Sequence, residues 1–499
     1  MQPSLQELSR EELISDLEKK SFEIESLKAE LAELKRLVFG SKSERFVPAV
    51  PDEQLSLGLA IEEKQKELIT QTIEVTRTVE KKSQNHPGRM PLPAHLPRVE
   101  HVIEPLEDTS EMKKIGEEIT ESLEYTPGKF FVNKYIRPKY AKPSAEGVVI
   151  GELPSRIIEK GIAGASLLAY MLISKYTDHL PLHRQIEIFK REGIKLASST
   201  VSDWVNQAIT PLLPLSELML KKVQCSKYLQ ADETPIKVLD KDKKGDSHRG
   251  YYWVYHAVEE GLVYFDYREG RSREGPEEIL ENFKGYLQTD GYGAYDAFGK
   301  KPGIHLIHCM AHARRKFEHA LDNHRTVAEY ALTEFQKLYA VERECREAQL
   351  SFEERKQERQ QKSVPLLKSL GGWMKEEYVK VNPKSTLGEA LFYSISRWDK
   401  LSAYTDDGML EIDNNLVENA IRPVAVGRKN YLFAGSHDAA RRSAMMYTFM
   451  ASCKKNDVNP YEWLKDVLNR ISEHPINKIE DLLPGNWKKI NQQNSEILL

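Results

Sequence analysis

The stretch that most limits what this chain can become is KYLQADETPIKV, residues 227–238. Tyr228, Leu229 and Ala231 read as a β-strand that carries Asp232 to its end, with Pro235 stopping the strand. A second stretch, GYLQTDGYGAYDAF at 285–298, has the same form: Tyr286 and Leu287 lead to Asp290, and Gly291 breaks the strand behind it. Two strand-end aspartates suggest a carboxylate pair at the edge of one shared sheet. Two turn-forming aspartates would satisfy the same pattern.

The surroundings favour the sheet. After Asp232 come a basic polar turn, KDKKGDSHRG, and the paired runs YYWVYHAV and GLVYFDYRE, a hairpin signal. A helix (PEEILENFKG), the Asp290 strand, another short strand (IHLIHC) and a helix (AHARRKFEHAL) follow. Three antiparallel strands, helix, strand, strand, helix is the RNase H-like order. In it the first and fourth strands lie side by side, which would bring Asp232 and Asp290 together.

Two such carboxylates cannot sit bare. Unit charges ~4 Å apart at an effective dielectric of ~20 repel by about 4 kcal/mol. Either one is protonated or a cation lies between them, and oxygen-only ligation suits Mg²⁺ or Mn²⁺. Two such ions support in-line phosphoryl transfer. A third carboxylate is expected on a later helix, and EIDNNLVENAIRPVAVGRKNYLFAGS (411–436) supplies Glu418. There Asp413 is expected to cap a short helix that ends before Pro423, with Arg422 one turn beyond Glu418 on the same face. A surface Glu–Arg pair would look the same. Arg428, Lys429, Arg441 and Arg442 flank this segment and would suit a DNA backbone. The clustering of His305, His308, Cys309 and His312 could suggest a transition-metal site, but His308 and Cys309 end a strand and His312 opens a helix, which should point them different ways. They are read as core and, with Arg314 and Arg315, DNA-backbone contacts.

The chain has 499 residues, about three domains' worth, with 40% hydrophobic and 30% charged residues. Its net charge of −4 leaves nucleic-acid contact to local basic patches. Four scattered cysteines argue against a disulfide framework and suit a reducing cytoplasm. No run has transmembrane length, so no membrane partner is expected.

At the N-terminus, Leu17, Ile24 and Leu31 repeat every seven residues, with Leu27 and Leu34 on the second seam and Lys20 interrupting it. This predicts a coiled coil over residues 1–40, on the order of 40 Å long, that pairs protomers into a homodimer or higher assembly. A linker spans 41–85. Residues 86–150 are proline-rich, then alternate through EEITESLEYTP and GKFFVNKYIRPKYA, read as short strands. Lys134, Arg137 and Lys139 make this segment basic, which fits either a phosphate-contacting surface or a solvated edge. Residues 151–220 are helical and close on a helix-turn-helix-like pattern: a helix to Arg191, a turn at Gly193, and a second helix capped by Ser198 or Ser199. Ser199, Thr200 and Ser202 are its candidate DNA contacts, while Val201, Trp204 and Val205 should pack.

Taken together, LQADETP, LQTDGYGAYDAF, HCMAHARRKF, DNNLVENAIRPVAVGRKNYLFAGS, NDVNPYEWLKDVLNRI and LLPGNW resemble the insertion sequence 66 family of transposases, the large DDE-type proteins of those bacterial elements. FGSKSERF, PLPAHLPR and RPKYA match as well, so the likeness covers nearly the whole chain. It implies that Asp232, Asp290 and Glu418 are the DDE triad of an α/β multidomain protein. The RNase H-like core would comprise 221–317 and 401–452, a helical insertion 318–400, and a C-terminal element 453–499. It further implies two Mg²⁺ or Mn²⁺ ions, and DNA partners in terminal inverted repeats and target DNA. Companion proteins from the same element and a bacterial, nucleoid-associated location are also implied. One departure stands out. The family carries a cysteine-rich zinc-binding domain after PLPAHLPR, whereas EDTSEMKK and KPSAEG hold no cysteine at those places, so zinc is not expected. An inactive DNA-binding regulator, or a structure-selective nuclease, would share many of these features.

Overall fold

The computed structural model describes Lys20 and residues 128–136, 139–141, 148–150, 155–159, 161–239 and 247–497. Apart from Lys20, the predicted zipper, with Leu17, Ile24, Leu27, Leu31 and Leu34, lies outside the described residues, as do the linker and Arg137. The chain divides into two compact units, one of residues 49–151 and the other of residues 1–48 with 152–499. In the first, β1 (Lys139–Ala141) and β2 (Val148–Ile150) form an antiparallel pair with Lys139 opposite Ile150. The alternating stretch before them is not a strand: residues 128–136 have no regular structure, and Phe131 and Val132 are 75% and 91% exposed. Alternation makes a strand only where a neighbour takes up the backbone N–H and C=O groups, and here pairing begins at Lys139.

The second unit holds α1 (Ala165–Tyr176), α2 (Leu182–Arg191), α3 (Ser198–Ile209) and α4 (Leu213–Gln224). Gly193, at φ +82°, makes the left-handed turn between α2 and α3. Gln185 is buried, and its amide donates to the Met171 and Leu180 carbonyls, which ties α2 to α1. The serines do not cap α3: Ala197 precedes it, without a side-chain cap, and Ser198 is already helical. The burial of Val201, Trp204, Val205, Ala208 and Ile209 sets the helix instead.

A five-stranded sheet follows: β3 (Tyr228–Leu239), β4 (Ser247–Ala257), β5 (Leu262–Arg268), β6 (Gly285–Thr289) and β7 (Ile304–His308), with α5 (Glu274–Ile279) before β6. Its order is β5-β4-β3-β6-β7. The first three strands are antiparallel, and β6 and β7 run parallel to β3. Pro235 does not stop β3, which pairs with β4 from Leu229 to Leu239. Strand alternation explains this. The Leu239 N–H and Lys237 C=O point away from β4 and bond Ala434, so Pro235, of the same parity, turns its missing N–H away from the ladder too. On that side the β6 ladder has already ended at Gln230. Asp232 is therefore mid-strand toward β4 and just past the strand end toward β6.

Beyond β7 the chain is helical: α6 (Met310–Ala320), α7 (Arg325–Glu347), α8 (Phe352–Glu358), α9 (Val364–Tyr378), α10 (Thr386–Ser396), α11 (Trp398–Ser402), α12 (Asn415–Asn430), α13 (His437–Lys455), α14 (Pro460–Arg470) and α15 (Pro484–Ile497). One core packs α1, α3, α4, α13 and α14 around Leu229, Ala231 and Val254. A second joins Phe317, Phe335, Leu370 and Leu391 to Tyr228 and Ile307 of the sheet. The helices between β7 and α12 thus share a core with the strands. The outer edge of β5 is covered by α13, whose Ser452 and Thr448 hydroxyls accept the Val263 and Phe265 N–H groups at 3.0 and 2.9 Å.

α12 passes through Pro423, where the sequence reading ends it. The buried run Val417, Ala420, Ile421, Val424 and Gly427 holds the helix across the lost hydrogen bond. Asp413 is not the cap residue either. Asn414 holds that place, and Asp413 Oδ1 takes the Asn415 N–H at 3.1 Å from one position earlier.

The approach to α12 is fixed by a buried ion pair. Arg359 and Glu342 are both fully buried. Arg359 donates to both Glu342 oxygens at 2.8 Å and to the Tyr404, Asp407 and Leu410 carbonyls at 2.7–2.8 Å. Arg355 joins Glu342 to Glu411. Burial works against the charged form of Glu342, but the two arginines outweigh it and hold its carboxyl below the ordinary range. We expect Glu342→Ala, which strands Arg359 without a counter-charge, to cost about 3–5 kcal/mol in urea unfolding. A loss under ~1 kcal/mol would show that the pair is not a structural fixture.

Candidate active site

The β3–β6 register brings the two aspartates together. Gln230 stands opposite Gln288, and their amides meet at 3.0 Å on one face of the sheet. Strand residues two apart share a face, so Asp232 and Asp290 follow as the next pair beyond the ladder. Asp290 comes directly after the last residue of β6. Asp232 Oδ1 accepts the Glu233 N–H, and Asp290 Oδ1 accepts the Tyr292 N–H, each at 2.8 Å. The Tyr393 hydroxyl of α10 donates to the Asp290 carbonyl at 2.6 Å. Gly291 combines φ +87° with a Cβ position 3.1 Å from Tyr393 and Arg397, so a side chain there would be strained and crowded.

The same glutamines seat α12. Gln230 donates to the Asp413 carbonyl at 2.9 Å and accepts the Val417 N–H at 3.2 Å. Gln288 donates to the Glu411 carbonyl at 2.9 Å, and the Tyr228 hydroxyl accepts the Glu411 N–H at 3.1 Å. Glu418, next after Val417, thereby comes near enough to Asp232 to act on its carboxyl, while among the described residues its donor atom clusters with Cys309 and His312 rather than with both aspartates. The carboxyl of Asp232 reflects this crowding. Burial, then Asp290, Glu233 and Glu418, push it well above the ordinary range.

Glu418 is turned toward α6. Its Oε1 lies 3.8 Å from His312 Nδ1 and its Oε2 lies 3.6 Å from Arg315. The sequence reading pairs it with Arg422, but Arg422 is exposed and Arg315 takes that part. Cys309 and His312 do not diverge as expected. Donor atoms of Cys309, His312 and Glu418 all lie within 4.8 Å of one another. His308 is buried elsewhere, and burial, then Lys400 and Arg397, lower its pKa to about 3. His305 lies against the Tyr286 ring.

Several neighbours escape the sequence reading. Glu233 is an ion-pair partner of Arg271, whose guanidinium stacks 3.9 Å over the Tyr292 ring. Burial raises the Glu233 carboxyl, and Arg271 opposes that shift. Tyr393 and Arg271 leave no signal in their local sequence. Gln230 and Gln288 do: each stands two residues before its aspartate, in LQAD and LQTD.

The candidate DNA contacts fall into two groups. Lys134, Ser199, Ser202, Arg422 and Lys429 are exposed, and Thr200 is half-buried. Arg314 pairs with Glu318, Arg428 donates to the Pro235 carbonyl, and Arg441 pairs with Asp438. Lys139 lies in β1. Among the described residues, no helix is long and apolar enough to cross a membrane.

Residues 160–442 match the Transposase IS66 family. Residues 26–100 match a domain described as Transposase C of IS166 homeodomain, 108–141 the zinc-finger binding domain of transposase IS66, and 448–484 the IS66 C-terminal element. The 108–141 segment contains neither cysteine nor histidine. Two relatives from Sinorhizobium fredii (strain NBRC 101917 / NGR234) run alongside most of the chain. The uncharacterized protein y4qI is 35% identical over 93% of this chain and 89% of its own length, and the uncharacterized protein y4jD is 33% identical over 96% and 98%. No solved structure matches. The chain belongs to the IS66 family of transposases.

Proposed function

We propose that this protein is a DDE-type DNA transposase with an RNase H-like core, in which Asp232, Asp290 and Glu418 hold two Mg²⁺ or Mn²⁺ ions. It cuts DNA at the ends of its element and joins the freed 3′-hydroxyl to target DNA. The observation that carries this reading is the shared register of Gln230 and Gln288, which sets Asp232 beside Asp290 and docks the Glu418 helix on the same face. The strand order β5-β4-β3-β6-β7, with helices on both faces, supports the core.

The donors fit a hard divalent cation. They are carboxylate oxygens, and the half-buried Asp232 is made harder to ionise by desolvation and by three acidic neighbours. When bound, such ions supply Lewis acidity to the attacking and leaving oxygens of an in-line displacement. The chain's own part is placement. Tyr393 and the Tyr292 N–H fix the Asp290 loop, Gln230 fixes the start of α12, and Arg315 holds Glu418 from the side. In the first displacement, water attacks the phosphodiester and the 3′-oxygen leaves with a proton. In the second, that 3′-hydroxyl attacks a target phosphodiester and one bond is exchanged for another. Neither step needs a covalent enzyme intermediate. The exposed Arg422 and Lys429 of α12 suit phosphate contact beside the site. The α2–α3 pair, presenting Ser199 and Ser202, suits recognition of terminal repeats, and the N-terminal heptads suit pairing of protomers.

We expect Asp232→Asn to abolish cleavage and strand transfer on end-containing duplexes while gel-shift affinity is kept. Cleavage retained in that variant would sink the proposal. A second expectation follows from the charge crowding. A carboxyl raised in the fold holds its proton more tightly folded than unfolded. Stability therefore falls as pH rises from the ordinary carboxylate range through the raised value. In EDTA at neutral pH, Asp232→Asn should melt above the wild type, by about 2–4 °C for each kcal/mol relieved, and the gap should close in acid. Mg²⁺ or Mn²⁺ should raise the wild-type Tm and leave the variant unmoved. A variant that melts lower in EDTA, or responds equally to the ions, contradicts this account.

A further inference from the structure

We propose that Cys309, His312 and Glu418 form a binding site for a zinc-type divalent ion, and that an ion seated there draws Glu418 away from Asp232 and Asp290. The second half rests on the reading of Glu418 as the third acid of the transposase. The site lies far along the chain from the cysteine-free segment that matches the family's zinc finger.

Three observations carry the site. One sulfur, one imidazole nitrogen and one carboxylate oxygen converge within 4.8 Å, a donor set that suits zinc and similar ions and is unsuited to Mg²⁺. Cys309 is the residue before α6, and His312 lies in the helix's first turn, so one short C-x-x-H turn presents both donors to the same side. Burial, then Asp413, pushes the Cys309 thiol well above its ordinary range, and the surrounding N–H groups act against that shift. The sulfur sits at the N-terminus of an 11-residue helix and accepts the backbone N–H of Asn414, at 3.4 Å, and that of His312. Such N–H groups are the outer-shell partners that a metal-bound thiolate needs. Three protein ligands leave the fourth tetrahedral position open.

The withdrawal of Glu418 follows from its two oxygens. Oε1 faces His312 and Oε2 faces Arg315, so the carboxylate is already committed to the α6 side. An ion on Oε1 would strengthen that orientation. Zinc would then oppose the Mg²⁺-dependent chemistry by taking one ligand of three.

The test uses full-length, reduced protein stripped of metal and titrated with Co²⁺ as a spectroscopic stand-in for zinc. One equivalent should raise a thiolate-to-cobalt charge-transfer band that Zn²⁺ removes and excess Mg²⁺ does not. Cys309→Ser should abolish the band, and His312→Gln should weaken Co²⁺ binding by about tenfold or more. Asp232→Asn and Cys225→Ser should keep it, Cys225 being the exposed cysteine. Should Cys309→Ser fail to fold, His312→Gln and Cys225→Ser decide the matter. Absence of the band, its survival in Cys309→Ser, or its loss in Cys225→Ser alone overturns the site. One equivalent of Zn²⁺ should also suppress Mg²⁺-dependent cleavage in the wild type and spare His312→Gln. Equal inhibition of both overturns the withdrawal. A wild type that never cleaves with Mg²⁺ counts against the transposase reading and leaves the cobalt result standing.

Discussion

Two buried amides carry the site. Gln230 and Gln288 stand side by side on neighbouring strands, where an unpaired amide would cost heavily. Their donors and acceptors are met by each other, by the Tyr228 hydroxyl, and by the backbone of Glu411, Asp413 and Val417. Because the partners are backbone groups at the head of α12, satisfying the amides also places the helix. The carboxylates then inherit their positions: Asp232 and Asp290 from being two residues further along each strand, Glu418 from being next to Val417. The electrostatic strain of gathering three acids is thus opposed by a hydrogen-bond network one layer deeper.

The helices between β7 and α12 support that layer from behind. Their core includes Tyr228 and Ile307 of the sheet, and Arg359 gathers three carbonyls of the segment leading into α12. Tyr393 reaches from α10 to the Asp290 carbonyl. The helices between β7 and α12 thus reach the Asp290 loop and the approach to α12 through backbone carbonyls at a few anchor positions.

Much of this was legible in the residues. The aromatic hairpin of β4 and β5, the two aspartate strands and the helices between them follow from alternation, turn residues and spacing, because those elements bury one clear face each. What was not legible depended on partners remote in sequence. Pro235 reads as a stop until Ala434 shows which way its nitrogen faces. Pro423 reads as a helix end until the buried face of α12 outweighs one lost hydrogen bond. Phe130 to Ile136 alternate like a strand but find no ladder. Arg315 rather than Arg422 meets Glu418, since helix packing across α6 and α12 outranks proximity along one helix. Cys309 and His312 read as divergent until the first turn of α6 brings both donors to one side.

The hydroxyl seal on β5 has a bearing on biogenesis. During translation the five strands leave the ribosome well before Thr448 and Ser452. Until those residues arrive, the outermost strand offers open backbone groups to any neighbouring nascent chain. A chain that stopped before Thr448 would leave the Val263 and Phe265 N–H groups of that edge without these acceptors.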